Sequence, residues 1–117
     1  MRLKKRQAGP DADGFYDTTI APNTVPSDRL LPVRVGGQWL VLVRLNGTVH
    51  AASRHCPHAA ADLSQGELHR GRVSCPDHGY KFDIATGRLL WPEDEVYRLR
   101  RYSVKEIGNR IYVKLNH

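Results

Sequence analysis

From Phe15 onward the chain alternates short apolar stretches with turn-forming residues, the rhythm of strands and not of helices. Residues 15–20 mix aromatic and β-branched side chains and read as a strand. Pro22 and Pro26, set among Asn23, Ser27 and Asp28, then interrupt any ladder. Residues 29–35 and 38–45 predict two strands joined by Gly36-Gly37, a two-residue hairpin turn. Asn46-Gly47 predicts the next reversal, into a strand over 49–54, so these strands form a meander. In the middle strand Trp39, Val41, Val43 and Leu45 share one face, while Leu40, Leu42 and the stem of Arg44 share the other. Both faces are largely apolar, so this strand is expected to be central and covered on both sides.

The second half continues in the same manner. Residues 80–84 predict a strand, Thr86-Gly87 a turn, and residues 88–90 a short strand. Segments 99–107 and 110–115 predict a hairpin around Gly108-Asn109. Residues 59–68 are the only helix candidate. The expectation is therefore an all-β domain over 15–117, preceded by an arm over 1–14. A chain of 117 residues has room for one modest core.

Composition adds little to this picture, at 40% hydrophobic and 26% charged residues. No apolar run approaches the roughly 20 residues that would span a bilayer. Charge is more informative, because it is uneven. Of the net +6, Arg2, Lys4, Lys5 and Arg6 supply four, leaving 14 basic against 12 acidic residues in the remainder. The arm is suited to docking an acidic partner. Nucleic acid and a membrane surface are the other acidic surfaces such an arm could meet, and nucleic acid is not the expected one. No apolar segment follows the basic start, so export by a signal peptide is not expected and a cytoplasmic location is.

The candidate chemistry is concentrated in two short runs. Cys56-Pro57-His58 and Cys75-Pro76-Asp77-His78 contain the only two cysteines, each with a histidine close behind. Two thiolates and two neutral imidazoles make a complete four-donor set. The pattern C-x-H…C-x-x-H suits a two-iron cluster in which cysteine ligates one iron and histidine the other. A single disulfide is the alternative use of the cysteines, but in a reducing cytoplasm metal ligation is the better reading. Zinc also accepts two cysteines and two histidines. Zinc fingers, however, usually pair like with like, and these pairs are mixed.

The stretch Cys75-Pro76-Asp77-His78-Gly79-Tyr80-Lys81-Phe82-Asp83 resembles the second ligand loop of the Rieske family, and the resemblance extends over 15–115. It implies an all-β fold: a Rieske-type antiparallel β-sandwich with an inserted cluster-binding subdomain of two ligand loops. It implies one Rieske-type [2Fe-2S] cluster per chain, with Cys56 and Cys75 on the inner iron and His58 and His78 on the outer iron at the tip. The implied function is one-electron transfer from a reductase to a terminal oxygenase or similar acceptor. The alternative it leaves open is a Rieske subunit of a larger oxidoreductase complex, similar to the small subunit of nitrite reductase. The chain is not expected to be an enzyme itself. It lacks room for a second domain holding a mononuclear iron, and it has no Gly-rich dinucleotide motif, so another protein must reduce it.

Departures from the family pattern carry their own expectations. High-potential members have an extra cysteine in each loop; here Asp77 takes that place in the second. Those members also set a serine and a tyrosine where this chain has Tyr80 and Phe82, so fewer hydroxyls are expected to reach cluster sulfur. A potential toward the lower end of the Rieske range follows. The first loop reads Ala59-Ala60-Ala61 where the family often has a glycine, which is expected to re-aim that loop. Leu63 and Trp91-Pro92 are candidates for excluding water from the cluster, the Pro92 segment resembling the family's third covering loop. Asp77 and His55 are expected to face solvent.

Overall fold

A computed structural model describes residues 9–58, 60–93 and 96–115. Ten strands follow in order: β1 Phe15–Asp17, β2 Leu31–Val35, β3 Gln38–Leu45, β4 Thr48–Ser53, β5 Glu67–His69, β6 Arg72–Ser74, β7 Lys81–Asp83, β8 Leu89–Trp91, β9 Arg101–Ile107 and β10 Arg110–Lys114. All named pairings are antiparallel. One sheet runs β1-β10-β9-β4-β3-β2 and the other β5-β6-β7-β8. The second sheet is inserted in sequence between β4 and β9.

The meander forms as the pattern predicts, with Val35 opposite Gln38 across the glycine turn and Leu45 opposite Thr48 across Asn46-Gly47. The β9–β10 hairpin closes at Ile107 and Arg110, as expected. Two expectations need correction. The strand from Phe15 stops at Asp17, because the Asp17 carboxylate accepts the Thr19 N–H at 2.8 Å and Thr19 turns to φ 64°. The helix candidate over 59–68 yields only a single 3₁₀ turn, Leu63–Gln65, capped by the Asp62 side chain accepting the Ser64 N–H. Beyond it, Glu67 to Ser74 form the β5–β6 hairpin.

Two cores result, and β3 belongs to both. Leu40 and Leu42 point into a core with Val33, Val35, Ala51, Ile111 and Val113, enclosed by the six-stranded sheet curling on itself. Val41 and Val43 point the other way, into a core with Val73, Phe82, Ile84, Leu63 and both cysteines. All four β3 side chains are essentially fully buried. Strand alternation thus lets one segment hold the sandwich together and seat the inserted sheet. Truncating any of these leucines would cost about 2–5 kcal/mol in lost burial and a cavity.

Candidate functional site

The residues 54–63 and 75–80 leave the sheets as two loops built on the same backbone frame. In the first, the Cys56 N–H donates to the Ala61 carbonyl at 2.8 Å, and the Ala60 N–H returns to the Cys56 carbonyl at 2.7 Å. In the second, the Cys75 N–H donates to the Tyr80 carbonyl at 2.7 Å, and the Gly79 N–H returns to the Cys75 carbonyl at 2.9 Å. Both bonds have identical spacing, counted from the cysteine. The residue four places on turns left-handed in each case: Ala60 with φ 56° and Gly79 with φ 70°. Only the histidine differs, two residues after Cys56 and three after Cys75.

The first loop is further fastened at its base. The Leu63 N–H donates to the Arg54 carbonyl at 2.7 Å, and the Arg54 guanidinium makes a two-pronged contact with Asp62, Nε–Oδ1 at 3.0 Å and Nη2–Oδ2 at 2.9 Å. Asp62 also accepts the Ser64 N–H and hydroxyl. Hydrogen bonding to Arg54, against the opposing effect of burial and with help from Ser64, holds the Asp62 pKa at about 2. The Arg54 guanidinium in turn lies 4.6 Å from the centre of the Trp39 ring.

The paired loops bring the four candidate donors to one end of the inserted sheet. Cys56 and Cys75 are each only 2% exposed, form no disulfide, and sit on the second core beside Leu63 and Phe82. His58 and His78 lie further out, their ring centres 4.9 Å apart and nearly perpendicular at 82°. A two-ring pair outside and a two-sulfur pair inside is the arrangement two irons need. Among the described residues, no three His, Cys, Asp or Glu side chains gather as a single ion would require.

One atom tests whether a metal group fits. His58 Nδ1 is buried and has no hydrogen-bond partner. A buried ring nitrogen left so costs about 1–3 kcal/mol, which metal ligation would remove. The donor set therefore fits a two-iron cluster, with Cys56 and Cys75 as the residues that would hold one iron and His58 and His78 the other.

Two tyrosines pack on the His58 imidazole, which the sequence pattern alone does not show. The Tyr80 ring stacks on His58 at 4.0 Å with only 9° between planes, and Tyr97 meets His58 edge-on at 5.2 Å. In the sequence pattern Tyr80 stands out only for the serine hydroxyl it displaces. The signal available was an aromatic immediately after the glycine of the second ligand run, facing an aromatic-bearing third loop. Leu63 is fully buried, in keeping with a role in excluding water. Trp91 is half exposed, and its ring meets Tyr80 edge-on with centres 6.3 Å apart. Asp77 and His55 are exposed, as expected. The basic run over 2–6 lies outside the described residues, and with it most of the arm assigned to 1–14.

Comparison with known proteins agrees with this geometry. The family model for the Rieske [2Fe-2S] domain matches residues 18–103. The ferredoxin component of a naphthalene 1,2-dioxygenase system from Pseudomonas aeruginosa is 33% identical over 97 residues, covering 83% of this chain and 92% of that protein. Among solved structures, the ferredoxin of carbazole 1,9a-dioxygenase from Nocardioides aromaticivorans IC177 superposes with a TM-score of 0.73 at 28% identity, covering 82% of this chain and 93% of that one. A complex of reduced oxygenase and oxidized ferredoxin in carbazole 1,9a-dioxygenase gives a TM-score of 0.75 at 26% identity, covering 86% and 93% of the two chains. With the fold, the paired loops and these likenesses in agreement, the chain belongs to the Rieske [2Fe-2S] domain family, whose cofactor is a Rieske-type [2Fe-2S] cluster.

Proposed function

We propose that this protein carries single electrons from a reductase to a terminal oxygenase, as a ferredoxin component and not as a catalyst in its own right. The observation that carries the reading is the pair of imidazoles at 4.9 Å, one with a buried, unpartnered Nδ1, set outside two buried thiols. A bound [2Fe-2S] cluster supplies the ability to take up and release one electron.

The side chains provide the rest. Cys56 and Cys75 would hold the inner iron as thiolates, shielded by Leu63, Phe82 and Ile84. His58 and His78 would hold the outer iron; being uncharged donors, they make that iron the easier one to reduce. Tyr80 and Tyr97 fix the plane of the His58 ring, and His78 is exposed at the tip. His78 would therefore be the cluster-holding side chain most open to a docked acceptor. No helix among the described residues is long and apolar enough to cross a membrane. Thiols that must stay reduced until the cluster is assembled support a cytoplasmic site of action.

The test is spectroscopic and functional. Anaerobically reconstituted protein should contain two irons and two acid-labile sulfides per chain, with the paramagnetic resonance of a mixed Cys/His cluster after one-electron reduction. It should also relay electrons between a flavoprotein reductase and an oxygenase of a dioxygenase system. Protein that binds one zinc and no sulfide would end this reading.

A further inference from the structure

The outer face of the inserted sheet carries an unbalanced row of charge. Val73 and Phe82 point into the second core, so their strand neighbours Arg72 and Asp83 point outward. The register then builds a row across the strands: His69 opposite Arg72, Arg72 opposite Asp83, and Arg88 opposite Arg98. The Asp83 N–H donates to the Arg88 carbonyl at 2.9 Å, which joins the two halves of the row. His69, Arg72, Arg88 and Arg98 are exposed, and Asp83, the one acid, is half-buried. Arg101 adds a further exposed cation close by, its Nε donating to the Ile84 carbonyl at 3.0 Å. The next row toward the ligand loops is balanced: Glu67 opposite Ser74, Ser74 opposite Lys81, and Lys81 opposite Trp91.

Among the described residues, none of Arg72, Arg88 and Arg98 forms an ion pair. Arg88 and Arg98 face each other directly, and like charges so placed weaken a sheet. Carboxylates from a partner would relieve that repulsion. A guanidinium grips a carboxylate through two parallel N–H bonds, and arginine is enriched at protein interfaces. The row has no aromatic ring on which a base would stack, and Asp83 stands in its middle to repel phosphate, so nucleic acid suits it less well.

From this row we infer that the chain has a second docking face, at the base of the inserted sheet, which binds an acidic protein segment through Arg72, Arg88 and Arg98. Arg72 lies two residues along β6 from Ser74, about 7 Å further from the ligand loops, so a partner seated here leaves the imidazoles uncovered. Such a contact holds the protein in a complex while the tip exchanges electrons. It adds to the carrier reading and does not depend on it, because no cluster-holding side chain takes part.

A labelled poly-glutamate peptide serves as the probe, titrated by fluorescence anisotropy against full-length holoprotein at an ionic strength of about 0.1 M. Every protein carries Arg2→Gln, Lys4→Gln, Lys5→Gln and Arg6→Gln, which removes the charge of the basic arm. The peptide should bind, and Arg88→Glu should weaken it about tenfold. The same substitution should raise the thermal unfolding midpoint by roughly 1–5 °C, because a like pair becomes a matched one. Arg110→Glu, the same charge change, should leave binding within about twofold. Arg110 sits opposite Ile107 at the far end of β9, about 20 Å from Arg101 and beyond the screening length of about 10 Å. Hydrogen exchange should show added protection at 69–72 and 83–88 when the peptide is bound, and none at 54–63 and 75–80. No binding, equal losses in Arg88→Glu and Arg110→Glu, a lower unfolding midpoint in Arg88→Glu, or protection at the ligand loops would each overturn the inference. A DNA duplex that binds more tightly than the peptide and is released by Arg88→Glu would make nucleic acid the partner and overturn it likewise. None of these results touches the carrier reading, which the iron, sulfide and resonance measurements decide.

Discussion

Ala60 and Gly79 occupy the same place in the same backbone frame, and only one of them is a residue suited to it. For an alanine, the left-handed region costs about 1–2 kcal/mol, because Cβ crowds the following carbonyl. Glycine escapes that cost but loses more freedom on folding, worth about 0.4–1 kcal/mol. Ala60→Gly should therefore stabilise the first loop by about 0.5–1 kcal/mol net. The reverse change at Gly79 can be read cleanly, since a Cβ there would meet nothing within 4 Å. Gly79→Ala should cost about the same 0.5–1 kcal/mol, arising from φ alone. If loop opening precedes loss of iron, these energies become rates. At 25 °C, 0.5–1 kcal/mol is roughly a two- to fivefold change, since about 1.4 kcal/mol corresponds to a factor of ten. The assay is the decay of visible cluster absorbance under anaerobic conditions, with far-UV circular dichroism as a check on the sandwich. Ala60→Gly should lengthen the half-life and Gly79→Ala shorten it by similar factors. Equal half-lives for the two variants, or a shorter one for Ala60→Gly, would refute the shared-frame argument.

Four further outcomes follow from the site. The Asp62 pKa, held at about 2, lies below its unfolded value, so its stabilisation is complete above about pH 5 and is lost as pH falls through 2. With both partners about a quarter exposed, Asp62→Asn should cost about 1–2 kcal/mol at pH 7 after allowance for screening, and should flatten the pH dependence of the urea midpoint between pH 5 and 2. Gly66→Ala would put a Cβ 2.0 Å from the Ser74 carbonyl oxygen, one residue before Cys75; iron and sulfide per chain should drop well below wild type, and full loading would show that the hairpin yields easily. Chelating the iron should leave the sandwich core around Leu40 and Leu42 intact, seen as retained slow hydrogen exchange in β2, β3 and β10, while protection at 54–63 and 75–80 collapses. The midpoint potential should fall in the lower part of the Rieske span of about −150 to +300 mV, and a value above about +200 mV would contradict the reading of Tyr80 and Phe82.

Much of this was legible before any coordinates. The two-faced apolar pattern of 38–45 marked β3 as a strand covered on both faces, as it is, although in the sheet it lies next to the edge strand β2 and not at the centre. The glycine and Asn-Gly turns fixed the meander, because those residues relieve the left-handed backbone that tight hairpins demand. The four donors stood out because sulfur and imidazole are the chain's only soft ligands and occur in matched pairs. The β5–β6 hairpin was hidden for an equally physical reason. Its turn is Arg70-Gly71, with φ 50° and 77°, and an arginine in the left-handed position carries no recognisable turn signal. The run from Ala59 looked helical because alanine and leucine favour helices locally, whereas the cysteine frame and the Asp62 cap close it into a loop. Stacking of Tyr80 on His58 joins residues 22 positions apart, so the aromatic after Gly79 points to it only once the two loops are known to meet.

The strands on either side of the insertion touch over a very short stretch. β4 pairs with β9 at Ala51 with Tyr102 and Ala52 with Arg101, and the Ser53 N–H donates to the Arg100 carbonyl at 2.9 Å, so the polypeptide departs for the iron-binding module and comes home side by side. Everything between is a tethered lobe whose two ends are already neighbours. Such a lobe could be moved onto another scaffold that offers two neighbouring chain ends and an apolar strand face like that of Val41 and Val43. The sandwich is thus a handle, and the redox head is portable.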